Sequence, residues 1–212
     1  MALRFFKDFD ESKWTFGKAK VGKTSTVVTL STGNFQIQPP VLSTVEDLVF
    51  SESDLKFTFF KLGNDSKSSL FKEWLSAFDT QMVDLLDTNK EAIWGESAGT
   101  MSKEIIEDQY RNSVTSKGKI KIYLNRDKNT KAINLPIVDR SNNVLDITEI
   151  PCDTDTLSIL RCRYIRVGVS DISPQWEMLS ISIKEKKKDE PLSCIIYDDD
   201  SDSDDFEMIS DD

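Results

Sequence analysis

The sequence predicts a mostly-β domain with one or two helices, arranged as an antiparallel barrel or sandwich and followed by a disordered acidic tail. Three observations lead there. Short β-branched or alternating runs recur at roughly 10–15-residue spacing with polar turns between them. One segment, 69–87, carries a strong helical stripe. The charge is split: residues 189–212 hold eleven acids and no Lys or Arg, which leaves 26 acids and 27 bases in residues 1–188. The body is thus about +1 and the tail −11, giving the net −10. A near-neutral body with clustered cations is compatible with a polyanionic partner, where a uniformly acidic chain is not.

The elements follow in order. Residues 13–38 read as strands: Thr26-Val27-Val28-Thr29-Leu30 is rich in β-branched residues, and Phe35-Gln36-Ile37-Gln38 alternates until Pro39-Pro40. Residues 55–62 alternate next, with Leu55, Phe57 and Phe59 on one face and Lys56 and Thr58 on the other. After the turn Gly63-Asn64-Asp65-Ser66, Leu70, Phe71, Trp74, Leu75, Phe78, Met82, Leu85 and Leu86 form one apolar helical stripe, capped by Ser68 or Ser69. A shorter helix follows at about 102–110, with Ile105 and Ile106 inward. Strands return at 119–124, 131–138, 144–150, 157–169 and 176–184, antiparallel by their short connections. This divides the chain into a folded domain, 1–186, and a disordered acidic tail, 187–212, whose like charges repel and whose sequence offers little to bury.

Composition excludes several classes. There is no histidine, which removes the commonest general base and metal ligand. Cys152, Cys162 and Cys194 are too few and too scattered for a disulfide framework or a zinc site. No metal, no cofactor and no catalytic residue are predicted. No apolar run suits a membrane span, and the first residues lack the apolar core of a signal peptide. The expected location is therefore intracellular.

Gly17-Lys18-Ala19-Lys20-Val21-Gly22-Lys23-Thr24 fits G-x-x-x-x-G-K-[ST], in which Lys23 would meet nucleotide phosphates and Thr24 a magnesium ion. That chemistry needs a helix directly after the loop. Here Ser25-Thr26-Val27-Val28 reads as a strand, so a basic hairpin is the competing reading.

Three basic clusters are interleaved with aromatics. Lys18, Lys20 and Lys23 lie near Trp14, the tryptophan with the best case for exposure; Trp74, Trp94 and Trp176 read as core or corner. Lys119, Lys121 and Tyr123 share one strand face, while Ile120, Ile122 and Leu124 share the other. Arg161 and Arg163 lie beside Tyr164. Cations for phosphates and rings for bases are what unpaired nucleic acid requires. In the tail, Asp198, Asp199, Asp200, Asp204 and Asp205 surround Phe206, which suits a segment that competes for a cationic groove or docks on partners. Ser201 and Ser203 also suit an acid-directed kinase, and Ile195-Ile196-Tyr197 a ubiquitin-like-modifier-binding strand.

A β body with basic–aromatic strands and an acidic tail carrying Phe resembles the single-stranded-DNA-binding proteins of lytic podophages. It resembles more closely the related family of large nucleocytoplasmic DNA viruses. The resemblance lies in Ile93-Trp94, Ser97, Glu104-Ile105, Tyr110, the strand Lys119–Leu124, residues 164–169 and Trp176-Glu177-Met178-Leu179. It implies an OB-fold-like barrel with an inserted helix, cooperative coating of single-stranded DNA, tail contacts to replication proteins, and a place in host cytoplasm or a viral replication compartment. It leaves a homo-oligomer open. Two features depart from it: Phe206 is not the final residue, and Pro174-Gln175 stands where glycine is expected. Two rivals stay open, a nucleotide-binding protein using residues 17–24 and an interaction or virion-structural protein acting through its tail.

Overall fold

The structure is a computed structural model and describes residues 4–5, 14–30, 36–49, 56–125, 127, 133–138, 143–145 and 149–183. The acidic tail with Asp198, Asp199, Asp200, Asp204, Asp205 and Phe206 lies outside the described residues, as does Leu55. The described strands are β1 (Arg4–Phe5), β2 (Phe16–Val21), β3 (Thr26–Leu30), β4 (Ile37–Gln38), β5 (Leu42–Thr44), β6 (Leu48–Val49), β7 (Phe57–Leu62), β8 (Lys119–Leu124), β9 (Ile137–Val138), β10 (Glu149–Ile150), β11 (Asp155–Val167) and β12 (Ile172–Ile183). Helices α1 (Ser66–Thr88), α2 (Lys90–Trp94) and α3 (Lys103–Gln109) are inserted between β7 and β8.

Five strands close a barrel. β5 pairs with β7, β7 with β8, β8 with β12, β12 with β11, and β11 returns to β5 through Thr156 opposite Leu42. Counted along the chain, the ring runs 1-2-3-5-4-1, which is the strand order of the OB fold. Four pairings are antiparallel, but β8 and β12 run parallel, against the expectation of a wholly antiparallel barrel. The reason is topological: the third and fifth strands are not joined by a hairpin, so nothing forces them to reverse.

Helix α1 begins three residues earlier than the stripe suggests. Asp65, in extended backbone, accepts from the N–H groups of Lys67 at 2.9 Å and Ser68 at 3.1 Å. Ser68, expected as the cap, instead donates its hydroxyl to Asp65 at 2.7 Å and is buried. The buried face holds Phe71, Trp74, Leu75, Phe78, Met82 and Leu86, whereas Leu70 is 46% exposed and stands off it. In α3, Ile106 is buried and Ile105 faces outward, because neighbours on a helix cannot share a face.

The insertion docks through aromatic packing and one polar network. Phe71, Trp74 and Phe78 stack in succession along α1, with centroids 5.9 Å apart at each step. Trp176 of β12 lies 5.2 Å from Phe78. Burying each such ring stabilises the fold by about 1.5–3 kcal/mol. Beside them Asp79, a buried acid on α1, accepts from Tyr110 Oη at 3.0 Å and from Ser113 N and Oγ at 2.7 Å each. Trp176 Nε1 donates to the same Ser113 hydroxyl at 2.9 Å, so helix, loop and barrel strand share one chain of hydrogen bonds. Burial pushes the Asp79 carboxyl up to about 6, against the opposing pull of its three donors.

Candidate nucleic-acid interface

The outer face of β7 and β8 gathers rings and cations that the sequence scatters. The ladder sets Phe57 opposite Tyr123, Phe59 opposite Lys121 and Lys61 opposite Lys119. Thr58, Phe60, Leu62, Ile120, Ile122 and Leu124 point into the barrel. The predicted outward set on β8 is therefore observed. On β7 the grouping of Phe57 with Phe59 also holds, on the outer face, and it adds two rings that the sequence pattern leaves out of the site. Thr58 takes the inner face because its hydroxyl donates to Glu46 at 2.8 Å, which makes its burial tolerable. The signal was available: Phe57 and Phe59 share their parity with Lys61, and Thr58 shares its parity with Phe60 and Leu62.

Phe57 is 36% exposed, an unusual position for a phenyl ring. Its centroid lies 5.8 Å from Tyr123 and 6.0 Å from Phe59. Lys121 Nζ lies 3.7 Å from the centre of Phe57 and 5.3 Å from that of Tyr123. Lys61 and Lys119 face each other directly, an arrangement that costs stability in a bare ladder and that a bound anion relieves.

Across β12 the surface continues to β11, where the two predicted arginines part company. Arg161 donates to Glu177 Oε2 from Nε at 3.2 Å and from Nη2 at 2.5 Å. Glu177 is only 5% exposed in its side chain, so the Arg161 charge is committed to a buried carboxylate. Arg161, expected at phosphate, is thus paired within the protein, and Arg163 is the freer cation of the two. Arg163 is 60% exposed and 3.8 Å from Glu177. The β11–β12 register passes from Cys162 opposite Trp176 to Tyr164 opposite Gln175, leaving Arg163 as the extra residue of a bulge. Such bulges re-aim side chains. Here a groove of about 300 Å³ opens beside it, lined by Lys56, Tyr123, Asn125, Arg163, Tyr164 and Glu177 among others.

The hairpin of β2 and β3 continues the sheet beyond β11. Lys20 lies opposite Val27, which lies opposite Arg166. Lys20 is thus two strand spacings, about 10 Å, from Arg166. Lys18, Lys20 and Lys23 are exposed there, forming a flank of the β11 surface and not part of the β7–β8 cluster. Trp14 does not join them. It is 5% exposed and meets Phe78 edge-on at 5.3 Å, which corrects the expectation that it stacks on bases. The nucleotide-loop reading of residues 17–24 also falls. Gly22 N donates to Ser25 O at 2.9 Å in a tight turn, and a strand follows, so no helix N-terminus is present to meet phosphate. A Cβ on Gly22 would come within 2.9 Å of the same carbonyl, so the turn itself accounts for this glycine.

Among the described residues no group of His, Cys, Asp and Glu is arranged to hold a metal ion, and no helix is long and apolar enough to cross a membrane. The molecule is an OB-fold barrel with an inserted helical segment and a basic–aromatic outer face. No protein-family model and no curated protein matches the chain. Among solved structures it is similar to the bacteriophage T7 single-stranded-DNA-binding protein gp2.5, with 13% identity, 71% of this chain and 86% of that one covered, and a TM-score of 0.46. It is also similar to the bacteriophage Enc34 single-stranded-DNA-binding protein in a C-terminally truncated form, with 10% identity, 82% and 96% covered, and a TM-score of 0.45. The Enc34 protein in complex with single-stranded DNA overlaps at 11% identity, 83% and 97% covered, with a TM-score of 0.39.

Proposed function

We propose that this chain is a non-catalytic, sequence-tolerant binder of single-stranded DNA. The observation that carries the reading is Lys121 lying over the Phe57 and Tyr123 rings on an outer barrel face shared with Lys61 and Lys119. A single strand lies along β7 and β8 with bases on Phe57 and Tyr123, each stack contributing about 1–3 kcal/mol. Lys61, Lys119, Lys121 and Arg163 meet phosphates, and Lys18, Lys20 and Lys23 extend the track. A duplex keeps its bases stacked and offers the rings nothing.

The role is replication, recombination and repair of the genome of a large DNA virus, as the sequence resemblance implies. The tail, at −11 against a body of about +1, competes with DNA for the cationic face and docks replication proteins once displaced. Tethering supports this, because it gives such a segment an effective concentration on the order of mM.

The test is fluorescence anisotropy with labelled oligo-dT of about 30 nucleotides over a salt series, on the full chain and on a form ending at residue 188. Tighter, salt-sensitive binding by the shorter form, poorly competed by duplex, is the expected result. No binding by either form at low salt sinks the proposal. Equal affinity of the two forms removes the tail mechanism alone.

A further inference from the structure

A carboxylate in the middle of a surface built for phosphate needs a reason. Glu177 lies between Tyr123 of β8 and Arg161 of β11, opposite both in register. Its Oε2 accepts both hydrogen bonds from Arg161, which fixes the carboxylate in place. Its Oε1 has Arg163 at 3.8 Å, beyond hydrogen-bond reach, and the residue lines the 300 Å³ groove. Tyr123 and Tyr164, both half-buried, line that groove too, and Asn125 is exposed beside them. The volume is at the small end of ligand clefts, which span about 300–1,000 Å³.

We infer that this groove holds one nucleobase and that Glu177 makes it favour a base with an exocyclic amino group, cytosine over thymine among the pyrimidines. The inference rests on the single-stranded-DNA reading and refines it. Arg161 already neutralises Glu177, and a carboxylate offers phosphate no hydrogen-bond donor at this point, so the backbone runs along the cations on either side and a base turns inward. Aromatic side chains beside the groove supply a stacking surface for an unpaired base. An ionised carboxylate only accepts hydrogen bonds. The cytosine N4 amino group donates to it, whereas thymine presents the O4 carbonyl at the same place and is repelled. The other rings on β7 and β8 have no such acceptor and stay tolerant of sequence. A purely structural Arg161–Glu177 pair would hold β11 to β12 without telling bases apart.

The experiment measures affinities of the full chain for oligo-dC and oligo-dT of equal length at neutral pH. A third oligonucleotide carries N4,N4-dimethylcytosine, which keeps the ring and removes both donors without touching the protein. The expected result is oligo-dC tighter than oligo-dT by about 5- to 10-fold. The dimethylated strand loses that advantage, and Glu177→Gln brings the dC-to-dT ratio close to one. Equal binding of oligo-dC and oligo-dT, or an advantage kept after dimethylation, overturns the base pocket while leaving single-stranded-DNA binding intact. Binding of none of the three removes the functional reading and this inference with it.

Discussion

Lys121 holds its ammonium 3.7 Å from the centre of the Phe57 ring, on the neighbouring strand. A cation over an aromatic face is attracted by about 0.5–1 kcal/mol at exposed sites. That is weak enough for a base to take the ring face while the ammonium swings to the adjoining phosphate. Phe57→Ala and Tyr123→Ala are therefore each expected to weaken oligo-dT binding by about 1–3 kcal/mol, or roughly 5- to 150-fold, with the salt slope unchanged. Anisotropy titrations at two ionic strengths separate this from a charge effect. If Phe57→Ala binds like the parent chain, this face is not where bases stack.

The two arginines of the β11 bulge should behave as opposites. Arg163, 60% exposed, is expected to act on binding: Arg163→Ala makes the salt dependence shallower by about 0.7 in log–log slope, with unchanged stability. Arg161→Ala strips a buried carboxylate of its paired donor and is expected to destabilise the fold by about 3 kcal/mol. Urea melts and salt-series titrations on both variants decide it. A stable Arg161→Ala protein with a shallower salt slope would return Arg161 to the phosphate track.

Trp14→Ala is expected to cost about 3–5 kcal/mol of stability, because the indole is buried against Phe78. Oligo-dT affinity of the protein that remains folded should stay within about twofold, since no stacking surface is lost. Chemical denaturation followed by titration under folded conditions tests both halves. A stable variant with lost affinity would restore the stacking role.

These contrasts show which parts of the site a sequence can reveal. The face of β8 was legible because Lys119, Lys121 and Tyr123 alternate with purely aliphatic partners, and period two then assigns both sides. Strand β7 carries aromatics on both faces, Phe57 and Phe59 outside and Phe60 inside, so its alternation gives a grouping but no direction. The fate of Arg161 depends on Glu177, sixteen residues away across a bulged hairpin, and local pattern does not report a register shift. Ring closure is non-local in the same sense: the contact of Thr156 with Leu42 and the parallel run of β8 beside β12 join segments far apart in the chain. Trp14 looked exposed because lysines surround it in sequence, while its partner Phe78 lies on the inserted helix.

Asp79 makes the docking of that helix sensitive to acidity. Its carboxyl is pushed up to about 6 from an ordinary 3.8, chiefly by burial, while the hydrogen bonds from Ser113 and Tyr110 pull the other way. A carboxyl with a raised folded-state value is protonated more readily in the folded chain than in the unfolded one. Its contribution to stability is fully present below pH 3.8 and is lost as the pH rises through about 6. The full loss is on the order of 3 kcal/mol. Asp79→Asn removes the titration and keeps an acceptor for Ser113 N, while the Tyr110 and Ser113 hydroxyls can turn to accept from the new amide. Urea denaturation of both proteins from about pH 4.5 to about pH 7.5 should show the variant gaining about 2 kcal/mol on the parent across that range. Asp79→Ala should instead be destabilised at every pH in the range, because it leaves the Ser113 amide buried without its acceptor. A stability difference between Asp79→Asn and the parent that does not change with pH would mean that the three donors outweigh burial and that Asp79 is ionised throughout.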